Sequence, residues 1–256
     1  MYKFGVINDL HLPYQDPRAV ELALYVMEDA RIDELIINGD VLDFNNISRH
    51  GKSHIDLQTS FEDEIHEGKI FFNVVKKHFT NKGVKTVYNR GNHEEWLDNF
   101  IINKCPEFYN FCKLDKMIDF GDIIVNPYNY AYQIKPNIKL KVQHSPPAYG
   151  LNGCRSSMNL KGDTSYIWGC SHQMQTACRT NDSGELVQAW FNGWLGSQDE
   201  TPDHKLVFKY KKSHMTWQQC IIIGHIVGDN FYIDQIPLKR AGKKLQCMYN
   251  GNIYEV

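Results

Sequence analysis

The chain has 256 residues, 42% of them hydrophobic and 23% charged, with a formal charge of −2 at pH 7. That composition excludes a disordered or fibrous chain and a small scaffold held together by disulfides, and it imposes no net field that demands nucleic acid or an anionic membrane. The seven cysteines are scattered and odd in number, none forms a C-x-x-C pair, and most are expected to be reduced and buried.

The elements follow in chain order. Tyr2–Asn8 is a short apolar run with strand character. Asp16–Ala30 opens on Asp-Pro and repeats apolar residues at Ala19, Leu22, Ala23, Val26 and Met27, which predicts a helix. Glu34–Asn38 reads as a second strand, Phe61–His78 as a second helix and Val84–Tyr88 as a third strand. This alternation predicts an α/β layered domain with parallel strands. Beyond it come strand readings at Ile123–Val125, Ile138–Gln143, Tyr166–Gly169, Leu186–Phe191, Lys205–Tyr210, Gln218–Gly224 and Asn230–Ile236, with one helix near Arg155–Leu160. The expectation is one domain over residues 1–256, a core at 1–175 and a β-rich part at 176–256 that completes a second, mostly antiparallel sheet. No apolar stretch approaches the ~18 residues of a membrane span. No secretory signal precedes the first strand, so a soluble, cytoplasmic protein is expected.

Four segments place metal-capable side chains just after a predicted strand, the edge where α/β sheets build sites. Asp9-Leu10-His11 offers a carboxylate and an imidazole, although Asp-x-His alone equally serves as a loop cap. Gly39-Asp40-Val41-Leu42-Asp43 lets the chain leave its strand tightly and frees a carboxylate able to bridge two cations, or to cap a helix. Gly91-Asn92-His93-Glu94, read as opening a helix at Glu95, supplies an amide oxygen and an imidazole suited to general acid work. His144, then Gly169-Cys170-Ser171-His172, adds two imidazoles and a thiol.

In this order the blocks resemble the calcineurin-like metallophosphoesterase superfamily, whose pattern is D-x-H, G-D-x-x-D, G-N-H-E or G-N-H-D, a lone His, and G-H-x-H. Four blocks match fully and the last in part, from Asp9 to His172. The resemblance implies a four-layer α/β/β/α sandwich with two mixed sheets. It implies one metal on Asp9, His11, Asp40 and His172, and a second on Asp40, Asn92, His144 and Cys170. It further implies a hydroxide between the metals that attacks phosphorus, His93 as the acid that protonates the leaving oxygen, and Asp43 as the carboxylate that orients His93. Two divalent ions are expected, manganese foremost. Cys170 departs from the family's histidine; as a thiolate it would favour zinc or iron at its site.

The Ser/Thr phosphatase branch continues its second block with Arg-Gly, whereas Asp43 here is followed by Phe44-Asn45-Asn46. The missing arginine tilts the reading toward phosphodiesters, nucleotide or nucleic acid, over a phosphomonoesterase or protein phosphatase. Arg49, His50 and Arg155 follow ligand-bearing strand ends and are candidate substrate contacts. Lys205–Lys212 interleaves basic and aromatic residues, as a nucleic-acid surface or a solvated strand does. A non-catalytic interaction module on the same fold, the outcome in the retromer subunit of this superfamily, is the alternative from another class.

Overall fold

A computed structural model describes residues 1–48, 59–198 and 216–256. The predicted contacts Arg49 and His50 and the strand Lys205–Tyr210 lie outside the described residues.

The first half alternates β1 (Tyr2–Ile7), α1 (Pro17–Asp29), β2 (Glu34–Asn38), α2 (Phe61–His78), β3 (Lys85–Asn89) and α3 (Asn92–Lys104). Local chemistry sets these boundaries. The Asp16 carboxylate accepts the Arg18 amide at 3.1 Å, and Pro17 has no N–H to leave unpaired in the first turn. At the start of α2, Ser60 Oγ accepts the Asp63 amide while Asp63 Oδ2 accepts the Ser60 amide. Acidic Glu62, Asp63 and Glu64 open that helix and Lys76, Lys77 and His78 close it, each group complementing the helix dipole. Short helices α4 (Tyr109–Cys112) and α5 (Leu114–Met117) then lead to β4 (Ile124–Asn126).

The remainder holds β5 (Tyr132–Gln133), β6 (Leu140–Gln143), α6 (Gly153–Leu160), β7 (Ser165–Trp168), β8 (Met174–Thr180), β9 (Leu186–Asn192), β10 (Cys220–Val227), β11 (Asn230–Pro237), β12 (Lys239–Ala241), β13 (Lys244–Tyr249) and β14 (Asn252–Glu255). One sheet runs β11-β10-β1-β2-β3-β4, parallel from β1 to β4 and antiparallel at its β10–β11 end. The other runs β5-β6-β7-β9-β8, parallel in the middle and antiparallel at both ends.

Alternation along the strands builds the layers. Leu35 and Ile37 of β2 face α1 and α2, in a core with Leu22, Phe72 and Leu97. Ile36, between them, faces the second sheet, with Phe4, Val87, Leu140 and Ile167. The far side of the second sheet packs Trp168 and Phe191 against Cys154 and Met158 of α6. Three apolar clusters thus separate four layers, α/β/β/α, the expected sandwich.

The C-terminal part departs from expectation. Strands β8 and β9 do complete the second sheet, but β10 and β11 extend the first along the free edge of β1, and β12-β13-β14 form a third, small sheet. That sheet is tied to α1 by Tyr254, whose hydroxyl donates to Asp29 at 2.7 Å and whose ring meets Tyr25 edge-on. Strand β8 was not anticipated; it pairs with β9 across a turn at Asn181–Gly184. None of the seven cysteines forms a disulfide; Cys154, Cys220 and Cys247 are buried and Cys178 is exposed.

Candidate metal centre

The carboxyl ends of β1, β2, β3, β6 and β7 open on one crevice, and each carries part of the cluster. A tier of buried asparagines fixes these ends beneath it. Asn89 Nδ2 donates to Asn38 Oδ1 at 3.1 Å, and Asn126 Nδ2 donates to Asn89 Oδ1 at 2.9 Å. Asn38 Nδ2 crosses to the second sheet at the Gln143 carbonyl, 3.1 Å away. Asn192 Nδ2 returns to Asn8 Oδ1 at 2.7 Å, and Asn8 Nδ2 also donates to the Asp9 carboxylate. These bonds set the register of one sheet against the other just below the site. An asparagine at the end of each apolar run is visible in the sequence, but sequence reasoning left this tier out.

Asp9, His11, Asp40, Cys170 and His172 all have positive φ, between 49° and 60°. Non-glycine residues adopt that region at a cost, and it concentrates at functional sites. Here it turns residues i and i+2 of both Asp9-Leu10-His11 and Cys170-Ser171-His172 into the same crevice. Two glycines let the loops meet: a Cβ on Gly39 would stand 2.3 Å from His144 Nδ1, and one on Gly91 2.1 Å from Asp40 Oδ1.

The side chains form two adjoining groups. In the first, Asp9, His11 and His172 converge, with Asp9 Oδ1 at 3.4 Å and His11 Nε2 at 3.0 Å from His172 Nε2. In the second, Asp40, His144 and Cys170 converge. His144 Nε2 lies 3.1 Å from Asp40 Oδ2 and 3.2 Å from Asn92 Oδ1, which is 3.1 Å from Cys170 Sγ. His144 Nδ1 donates to the Asn38 carbonyl at 2.6 Å and His11 Nδ1 to Asp43 Oδ1 at 2.9 Å, so in both rings Nε2 is the nitrogen left for a cation.

Electrostatics reflect the crowded carboxylates. Burial by itself depresses the His11 imidazolium, but the hydrogen bond to Asp43 and the charges of Asp43, Asp40 and Asp9 outweigh it and raise the pKa to about 9. His144 behaves alike: burial opposes its charge, and Asp40 and Cys170 raise it well above the ordinary value. Burial holds His172 below the ordinary value. Asp40 is buried, yet His144 and His93 hold its carboxyl well below the usual range.

His93 sits beside Asp40, its Nε2 at 3.8 Å from Oδ2. Its Nδ1 donates to the Asp43 main-chain carbonyl, while the Asp43 carboxylate, 3.5 Å away, lies closer to His11. The expected orientation of His93 by the Asp43 side chain is thus shared with the backbone. Helix α3 begins at Asn92 rather than Glu95, with Gly91 as its cap. Glu94 closes this corner: its buried carboxylate accepts the amides of Gly91, Asp40, Val41 and Leu42 at 2.7–3.1 Å.

Sequence reasoning also missed the rings around the imidazoles. Trp96 lies against His93 at 3.8 Å between centroids, and Trp194 stacks on His172 at 5.1 Å with Trp217 edge-on to it. Trp96, three residues after His93, is the one that helical spacing could have flagged. Arg90 pairs with Asp98 at 2.7 Å, and Arg155 is exposed on α6 beside Gln175 and Cys178; neither is brought to the cluster.

Across this arrangement the family model for calcineurin-like phosphoesterases matches residues 2–229. The chain belongs to the calcineurin-like phosphoesterase family. A search of curated proteins found no match. Among solved structures, Vps29 from Chaetomium thermophilum superposes with a TM-score of 0.50 at 9% identity, covering 100% of this chain and 94% of that one, a likeness of fold. The E. coli phosphoesterase YfcE gives a TM-score of 0.40 at 13% identity, covering 99% and 98% of the two chains. A dimetal phosphatase from Danio rerio gives 0.43 at 11% identity, covering 91% and 95%.

The family depends on a dinuclear metal site, and the residues fit one. Asp9 Oδ1 is buried without a hydrogen-bond partner among the described residues, at the point the His11 and His172 nitrogens face. Carboxylate, imidazole and amide oxygen donors suit divalent cations, and the Cys170 thiol adds a softer donor to the second group. No helix among the described residues is long and apolar enough to cross a membrane.

Proposed function

We propose that the protein hydrolyses phosphate esters at two divalent cations, one held by Asp9, His11, Asp40 and His172 and the other by Asp40, Asn92, His144 and Cys170. The observation that carries this reading is the His11–His172 pair, two imidazole nitrogens 3.0 Å apart beside the unpartnered Asp9 oxygen. Bound there, a pair of dications supplies charge neutralisation of the ester and an activated water.

The protein's own part is position and proton transfer. The Asp43 carbonyl accepts Nδ1–H of His93, which leaves Nε2 to carry the proton toward the leaving oxygen. Trp96 against the ring limits its rotation. Asp40 Oδ2 lies 3.1 Å from His144 Nε2 while Oδ1 accepts the His93 amide at 3.0 Å, so the proposed bridging carboxylate and the acid residue are held together by one bond. Diesters are favoured as substrates because Phe44 follows Asp43 where the Ser/Thr phosphatase branch carries an arginine and, among the described residues, Arg90 and Arg155 lie apart from the cluster. Manganese is the expected ion of the first group, with zinc or iron favoured beside Cys170.

The test is turnover of p-nitrophenyl mono- and diesters with manganese, zinc or iron, beside metal content. The His93→Ala variant should lose about 10²- to 10⁴-fold in kcat/KM while still holding two ions. Full activity in that variant would remove His93 from its role. Bound ions without hydrolysis of any ester would instead favour a non-catalytic module on this fold.

A further inference from the structure

A groove of about 540 Å³ leads away from Asn92, between α3 and Tyr128. Its floor is a single stripe of α3: Asn92, Glu95, Trp96, Asn99, Phe100 and Asn103. Spacings of three and four residues put these side chains on one helical face. At 1.5 Å per residue the stripe runs roughly 16 Å from the metal-facing amide.

The stripe alternates amides with aromatic rings. Trp96 is packed on His93, and Phe100, one turn on, is 37% exposed. Asn103 is held by its Nδ2–H to the Asn99 carbonyl at 2.7 Å, and Lys104 closes the far end. Across the groove, Tyr128 is fixed by a 3.1 Å hydrogen bond to Ser145, the residue after His144.

Resting on the phosphoesterase reading above, we propose that this groove receives the nucleoside arm of a nucleotide diester. Aromatic rings bind the flat face of any base, and amides pair with donor and acceptor edges. A volume of this size takes a ligand of drug-like dimensions, one nucleoside rather than a strand. Among the described residues of the lining, Lys104 is accompanied by the acidic Glu95, so these residues do not form the cation cluster that a phosphopeptide or an anionic lipid surface requires.

The test compares thymidine 5′-(p-nitrophenyl phosphate) with methyl p-nitrophenyl phosphate, which share a leaving group and differ only in the arm. The manganese-loaded protein should prefer the thymidine ester by on the order of tenfold in kcat/KM, the effect of one stacked base. Phe100→Ala should reduce that ratio about fivefold or more, and Phe100→Tyr should restore it. A ratio near one, or a ratio indifferent to Phe100→Ala, overturns the subsite while hydrolysis itself leaves the phosphoesterase reading standing. If neither ester is cleaved, calorimetry with thymidine 5′-monophosphate and ethyl phosphate decides. Tighter binding of the nucleotide, lost in Phe100→Ala, keeps the subsite and sinks the hydrolytic reading; equal binding ends both.

Discussion

Glu64 is a buried carboxyl on α2 whose Oε2 accepts the Phe44 amide at 2.6 Å, one residue past Asp43. Burial, then the charge of Asp43, pushes its pKa from 4.5 to about 9, against the opposing pull of the Phe44 hydrogen bond. An acid whose folded pKa lies above its unfolded value binds its proton more tightly when folded. Its contribution to stability is therefore complete below the unfolded pKa and is lost as pH climbs from 4.5 toward 9. Glu64→Gln keeps the neutral shape and the acceptor. Thermal unfolding followed against pH should show the variant gaining on the wild type as pH rises, by on the order of 1 kcal/mol or more at the alkaline end. A difference that stays flat with pH would mean that Glu64 titrates normally. His93 and Trp96 illustrate the residue scale in another way: the histidine could be picked from Gly-Asn-His-Glu, but its partner ring and the Asp43 carbonyl required coordinates.

At the scale of elements, the decisive junction is the start of α3. The Glu94 carboxylate gathers four backbone amides from two loops and so ties the Asp40 turn to Asn92 and His93. In Glu94→Gln, an NH₂ group replaces one oxygen and turns a donor toward amides that also donate. The expected loss is about 3 kcal/mol of folding stability, read by urea denaturation, because hydrogen bonds to a charge and the satisfaction of buried donors go together. Weaker manganese binding should accompany it. Unchanged stability would show that water replaces the carboxylate. Helices α1 and α2 and the parallel strands were legible in the sequence because their caps and apolar spacing are local. Strand β8 was not, since its exposed residues alternate with half-buried ones and carry no apolar run. The fate of β10 and β11 was equally hidden: their composition marks them as strands, but not which sheet edge is free to receive them.

For the whole molecule, the crevice joins loops from both sheets, so cations bound there hold the sandwich together. Ions that bind only the folded chain stabilise it by about 2.7 kcal/mol at a hundredfold excess over Kd. Manganese should raise the unfolding temperature, and a chelator should reverse the gain. The metal must displace the protons that Asp43, Asp40 and Asp9 attract to His11, whose pKa is about 9. Apparent affinity should therefore increase with pH up to that value, with protons released on loading. A melting temperature indifferent to both manganese and chelator would argue against ions bridging the two sheets.

The sequence by itself determined the identity and order of the metal-capable residues, because each block follows its own strand within a few residues and needs only local geometry to be recognised. It also determined the α/β alternation of the first half, for the same reason. The family pattern implied that Asp9 and His172, 163 positions apart, would share one metal, but only the tertiary structure decided the geometry of their meeting, that the asparagine tier sets one sheet on the other, and that Arg155 lines a pocket on α6 instead of the cluster. Those outcomes depend on the packing of two sheets across a common core, and packing is a property of faces brought together, which no single stretch of chain encodes.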